Sequence, residues 1–218
     1  VKYIWGIDEA GRGPVIGPLV LAGVVIEETQ CKLLSELGVK DSKRLSRPQR
    51  NALVPTLTAV AREIKVLVIP PHKLKGNLTQ VELDAMAQLI RDSHATTVYL
   101  DAPVPPRGIS RYASALCSRV GRSELTVIAE NKADEKYGIV SAASIVAKVH
   151  RDRLIERLRE QHGDFGWGYP SEPKTRQFLA EWYRAHGAFP ECVRHRWRTV
   201  RRLIQDHKER GFFANDDR

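Results

Sequence analysis

Long apolar runs are the first thing missing from this sequence: none reaches the roughly 18–20 residues that a membrane-spanning helix requires, so no membrane-spanning segment is expected. The N-terminus lacks the basic, apolar, small-residue order of a secretory signal, and a cytoplasmic protein is the expectation. Cysteine is scarce. Cys31, Cys117 and Cys192 are odd in number, far apart and without CxxC spacing, which suggests reduced thiols and gives no reason to place a zinc ion. Nor do the seven histidines fall at metal-ligand spacing. Internal repeats, low-complexity tracts and flexible linkers are missing too. A length of 218 residues then suggests one domain, or one with an appendage, and a monomer is expected.

What is present points elsewhere. Apolar residues make up 42 %, enough for a sizeable core. A formal net charge of +9 favours a polyanionic partner, nucleic acid being the commonest, through phosphate contacts and counterion release. On charge alone, an anionic membrane surface or plain basicity stays open.

Along the chain, Tyr3 to Ile7 reads as a short buried strand and Leu19 to Ile26 as a second, with a Gly- and Pro-rich connection between. A polar stretch precedes a helix from about Pro48, where proline suits a first turn. Ile64 to Ile69 is a third strand, stopped by Pro70-Pro71. Thr79 and Glu82 read as a capping box ahead of Leu83, Met86 and Ile90 at helical spacing. Strand, helix, strand and long helix follow, at Thr97 to Leu100, Ser110 to Val120, Leu125 to Ala129 and Ser141 to about Gln161. This order predicts an α/β fold, a mixed sheet with helices packed on it. The last 45 residues read as helical and basic, with 11 Lys or Arg against 6 Asp or Glu.

Four carboxylates stand out. Asp8-Glu9 follows an apolar strand directly and precedes Ala10-Gly11-Arg12-Gly13. Neighbouring side chains on a regular strand point to opposite faces. The two acids therefore share a site only if the strand ends there and the backbone turns, and a turn with two solvated acids remains open. Asp101 closes the strand Val98-Tyr99-Leu100, at the end where open sheets hold ligands. Asp134 follows the fifth strand and could instead be a loop acid or a helix N-terminal charge. Together, Asp8, Glu9, Asp101 and Asp134 form an all-oxygen set suited to Mg²⁺ or Mn²⁺. Paired ions in such a set could activate water and stabilise a departing oxygen in phosphodiester hydrolysis. Without a cation the acids would repel one another.

The motifs sharpen this. Gly6-Ile7-Asp8-Glu9-Ala10-Gly11-Arg12-Gly13-Pro14 with Gly17-Pro18 resembles the opening signature of the ribonuclease HII family. Lys40-Asp41-Ser42-Lys43-Arg44-Leu45, Ala133-Asp134 with Tyr137, Val140 to Lys148 followed by Arg151-Asp152, and Gly168-Tyr169-Pro170-Ser171 continue the likeness in the family's order, over roughly residues 3–200. The strand before Asp101 and Ala129-Glu130-Asn131-Lys132 resemble the archaeal and eukaryotic branch more than the bacterial one.

The resemblance implies a ribonuclease H-like mixed five-stranded sheet flanked by helices, with a catalytic domain over 1–172 and a helical, basic extension over 173–218. It implies Asp8, Glu9, Asp101 and Asp134 as metal-binding catalytic acids with two divalent ions. The substrates implied are RNA–DNA hybrids and duplex DNA containing ribonucleotides, cut 5′ to the ribonucleotide. In the same way Gly11, Arg12 and Gly13 would sense the ribose 2′-hydroxyl, which separates RNA from DNA. Tyr169 would stack on a sugar, and Ser42 and Lys43 would meet phosphate. Each has a plainer reading: a hairpin turn, a packed tyrosine, a solvated lysine. Lys148 and Arg151 read as structural or backbone-steering. The run Arg194, Arg196, Arg198, Arg201 and Arg202 with Trp197 reads as a solvated helix face or a phosphate-contacting tract. Phe212-Phe213 resembles the paired aromatics of sliding-clamp ligands, although Glu209 and Asp206 stand where an aliphatic residue and glutamine would fit. A noncatalytic hybrid-binding module and another nuclease of the same fold acting on DNA are the competing readings.

Overall fold

The structure, a computed structural model, describes residues 1–39, 44–91, 93 and 95–213, with the backbone alone for 207–213. Its described residues divide into two compact units: Val1–Ala10, Val20–Val68 and Gly76–Arg151 form the first, and Gly11–Leu19, Ile69–Lys75 and Asp152–Arg218 the second.

The first unit is built on a five-stranded sheet of order β3-β2-β1-β4-β5, comprising β1 (Tyr3–Ala10), β2 (Leu19–Glu27), β3 (Glu63–Ile69), β4 (Thr97–Asp101) and β5 (Thr126–Glu130). β1 pairs antiparallel with β2 and parallel with β4, and β4 pairs parallel with β5. The sheet is therefore mixed, as expected. Its central strands are near-continuous apolar runs because both faces are covered.

Six helices belong wholly or partly to this unit: α1 (Cys31–Glu36), α2 (Arg47–Val60), α3 (Leu78–Arg91), α4 (Ile109–Val120), α5 (Ala133–Lys136) and α6 (Gly138–His162). α2 opens with a capping box in which Ser46 and Gln49 satisfy each other's backbone N–H groups. α3 starts at Leu78, one residue before the expected box, and the Asn77 side-chain oxygen accepts from the Thr79 N–H at 2.9 Å. α3 and α4 pack together, with the Tyr112 hydroxyl 3.3 Å from the Met86 sulfur and Arg119 2.7 Å from Asp84. On α4, Tyr112, Leu116 and Val120 recur every fourth residue and supply its buried stripe.

The start of α6 is buried on almost every side. Ile139, Val140, Ala142, Ala143, Ile145, Val146, Ala147 and Val149 share a core with Ile4, Ala22, Val24 and Ile26 of the sheet. Small residues let this helix approach closely, and Gly6 lies directly against the Ile139 carbonyl.

The second unit has its own core of Val15, Ile16, Ile155, Phe165, Leu179, Phe189, Val193 and Val200, with α7 (Pro173–His186) and α8 (Arg198–Phe213) packed against each other. Phe165, Phe178 and Trp182 form a chain of tilted rings 5.4 Å apart. An isolated bridge joins Ile16 to Val193. All three cysteines are free, and burial pushes the Cys192 thiol up to about 11. No helix of the described residues is long and apolar enough to cross a membrane.

A side chain at Gly6 would collide with backbone, which cannot rotate away. Gly6→Ala is therefore expected to destabilise the protein by about 3 kcal/mol. Urea denaturation measures this; an unchanged midpoint would contradict the packing described.

Candidate active site

The parallel register of β1 and β4 pairs Ile7 with Leu100, which sets Asp8 beside Asp101 on adjacent strands. Asp8 is 6 % exposed. Burial raises its pKa from the usual carboxylate range to about 6, and the Asp101 charge pushes the same way. The Ser144 hydroxyl, the Glu9 N–H and the Lys148 ammonium pull it down. The Glu9 N–H donates to Asp8 Oδ1 at 2.8 Å. Ser144 and Lys148 lie four residues apart on α6, so one face of that helix serves both. Lys148 thus has an electrostatic role toward Asp8 that its position in the sequence does not reveal.

Glu9 differs from expectation. β1 does not end at Asp8-Glu9 but runs to Ala10, with Glu9 opposite Leu21 and Ala10 opposite Val20. No turn brings the two carboxylates to one face. Strand alternation separates the side chains of Asp8 and Glu9.

Asp134 occupies the first turn of α5 and is 3 % exposed. α5 packs against β4. Several contacts fix the segment that carries it. The Asn131 side-chain amide donates to the Ala102 and Val104 carbonyls at 2.8 and 2.7 Å, joining the chain after β5 to the chain after β4. Lys136 donates to both Glu130 oxygens at 2.7 and 2.8 Å, and the Tyr137 hydroxyl donates to Glu130 Oε1 at 2.6 Å. These bonds lower the Glu130 pKa and push that of Lys136 up to about 12. Lys132 has φ +56°, the one non-glycine positive φ among the described residues, two positions before Asp134. Such strain is characteristic of functional turns.

The donor set is all oxygen, and two of its acids press their charges on each other, conditions that a hard divalent cation relieves. Among the described residues, no three His, Cys, Asp or Glu side chains already converge on a common point. The structure brings Asp8 and Asp101 together, and places Asp134 in a buried turn against β4.

In the second unit, Gly11 adopts φ +94°, which only glycine accepts without strain, and Gly13 is exposed with open space where a Cβ would stand. Tyr169 is 40 % exposed on a braced loop. The Gly168 carbonyl accepts from the N–H groups of Val15 and Ile16 at 2.7 and 3.3 Å. Glu172 Oε2 accepts from the N–H groups of Trp167 and Tyr169 at 2.8 and 3.2 Å. Ser42 and Lys43 lie outside the described residues. Of the basic run, Arg196, Arg198, Arg201 and Arg202 are exposed, whereas Arg194 is buried and Trp197 packs against the second core.

A family model described as Ribonuclease HII matches residues 5–200. A ribonuclease HII of Pyrococcus furiosus is 42 % identical over 208 residues, covering 94 % of this chain and 92 % of its own. The crystal structure of the ribonuclease H2 from Pyrococcus horikoshii superposes with a TM-score of 0.89 at 41 % identity, covering 95 % of this chain and all of the other. A structure of the PCNA:RNase HII complex from Archaeoglobus fulgidus contains a chain with a TM-score of 0.82 and 44 % identity, covering 92 % of this chain and 96 % of that one.

Because its folded-state pKa is raised, Asp8 binds more protons in the folded than in the unfolded metal-free protein between pH 4 and 6, and stability falls as pH rises through that window. At pH 8, Asp8→Asn should therefore stabilise the metal-free protein by about 2–3 kcal/mol, a gain that disappears below roughly pH 4. Chemical denaturation in EDTA across pH checks this; a variant less stable than the parent at pH 8 would refute it.

Proposed function

This chain belongs to the ribonuclease HII family and is an endoribonuclease acting on RNA–DNA hybrids, and we propose that Asp8, Glu9, Asp101 and Asp134 are its catalytic, metal-holding acids. The observation that carries this reading is the buried Asp8 facing Asp101 across parallel strands, a costly arrangement for an apo carboxylate pair.

Asp8 and Asp101 would hold one Mg²⁺ or Mn²⁺ ion, and Asp134, with the Glu9 carbonyl, would hold a second. Bound there, two ions supply the charge that readies a water and stabilises a leaving 3′-oxygen. The chain's own residues do the rest. Lys148 and Ser144 hold the Asp8 carboxylate ready for a cation, and Asn131 ties together the segments that follow β4 and β5. The Gly11-Arg12-Gly13 backbone reads the ribose 2′-hydroxyl, with no side chain at Gly13 to hold a sugar away. Tyr169 offers its exposed ring to the neighbouring sugar, and Ser42 and Lys43 contact phosphate. The product of incision 5′ to an embedded ribonucleotide is a 3′-hydroxyl and a 5′-phosphate.

A duplex carrying one ribonucleotide, incubated with and without Mg²⁺, tests this. Asp101→Asn and Asp134→Asn should each lower kcat by at least about 10³-fold, on the order of 4 kcal/mol, with the duplex still bound. Binding without metal-dependent incision by the parent would favour a noncatalytic module, and equal cutting of all-DNA duplex would favour a DNA nuclease. Tyr169→Ala should cost roughly tenfold on single ribonucleotides, the scale of one stacking contact, and less on long hybrids. Equal losses on both substrates would remove the junction role.

The Archaeoglobus relative bound to PCNA supports a second, separate reading, that Phe212-Phe213 at the end of α8 docks on a sliding clamp. A clamp pull-down with and without the last ten residues tests it; capture that does not depend on those residues would retire it.

A further inference from the structure

Arg194 is 1 % exposed, although it sits in a run of otherwise solvated basic residues. Its guanidinium donates to three main-chain carbonyls far away in sequence: Nη2 to Gly11 at 2.6 Å, Nη1 to Arg12 at 3.3 Å and Nε to Gly17 at 2.8 Å. The Arg194 N–H donates to the Val15 carbonyl at 2.8 Å, and the guanidinium lies 4.9 Å from the centre of the Trp197 ring. A fork of fixed donors is thus clamped over the loop that contains Gly11-Arg12-Gly13.

The geometry of the peptide group makes this consequential. In a trans peptide, C=O and the following N–H point in opposite directions. Drawing the Gly11 and Arg12 carbonyls toward one buried cation therefore turns the N–H groups of Arg12 and Gly13 away from it. Successive outward N–H groups in a turn form a concavity that receives an oxygen acceptor. Gly13 is exposed with open space at its Cβ position, so an acceptor can approach. We propose that Arg194 is a positioning residue for substrate specificity: by binding the carbonyls of residues 11 and 12 it aims the amides of residues 12 and 13 at a ribose hydroxyl or phosphate oxygen. The proposal rests on the reading that this loop meets the substrate. Lysine, with one compact charge and no planar fork, cannot reproduce the arrangement.

Arg194→Lys and Gly13→Ala, each assayed on a duplex with one ribonucleotide, test the proposal. For Arg194→Lys, KM should rise about tenfold with kcat nearly unchanged, as expected when substrate is held less well but the reaction is unaltered. Amide exchange measured by NMR should accelerate at Arg12 and Gly13 and stay as in the parent through β1 and α7. A fall in kcat at constant KM, or exchange that rises evenly through the second unit, overturns the proposal and leaves Arg194 as a general core residue. Gly13→Ala probes the loop itself: if it leaves KM unchanged, the loop does not meet the substrate, whatever Arg194 does to its amides. In the unaltered protein the Arg194 Nε–H should exchange at least about tenfold more slowly than those of solvated arginines, as a buried, bonded donor must. Exchange as fast as theirs overturns the proposal even if the variants misfold.

Discussion

A negative charge held out of water beside another negative charge organises the first unit. Asp8 and Asp101 press their charges on each other because β1 and β4 run parallel in one register. Helix α6 then brings a hydroxyl and an ammonium to the same carboxylate from one face. The remaining electrostatic deficit is one that a hard divalent ion would relieve.

Much of this was legible in the sequence, for identifiable reasons. The strands announced themselves through β-branched and apolar runs bounded by glycine and proline, and α3, α4 and α6 through their spacing. Asp101 was visible because it interrupts such a run at its end. The same logic misled at Asp8-Glu9. Charged residues look like the end of a strand, yet the ladder between β1 and β2 bonds main chain to main chain and continues to Ala10 regardless of side-chain charge. α1 and α5 span six and four residues, too few for a periodic pattern to declare itself.

Arg194 was hidden for a different reason. An arginine among arginines reads as solvated, and its partners are carbonyls, which every residue carries and no sequence pattern marks. The Gly11 carbonyl stands 183 residues away. Lys148 was obscured similarly, because a lysine on a long helix gains meaning only from the strand it faces. Both cases show that long-range pairing of a side chain with backbone, or with a single buried acid, leaves no local trace. The family likeness marked Lys148 only within a motif, without saying what its charge does.

Glu130 completes the picture of charge at this end of the sheet. It shares its register with Asp101, yet its carboxylate is already engaged by Lys136 and Tyr137. The sheet edge therefore carries more acids than it presents as free negative field. For an enzyme that must admit a polyanion, that internal neutralisation lowers the electrostatic barrier to approach at this end of the sheet.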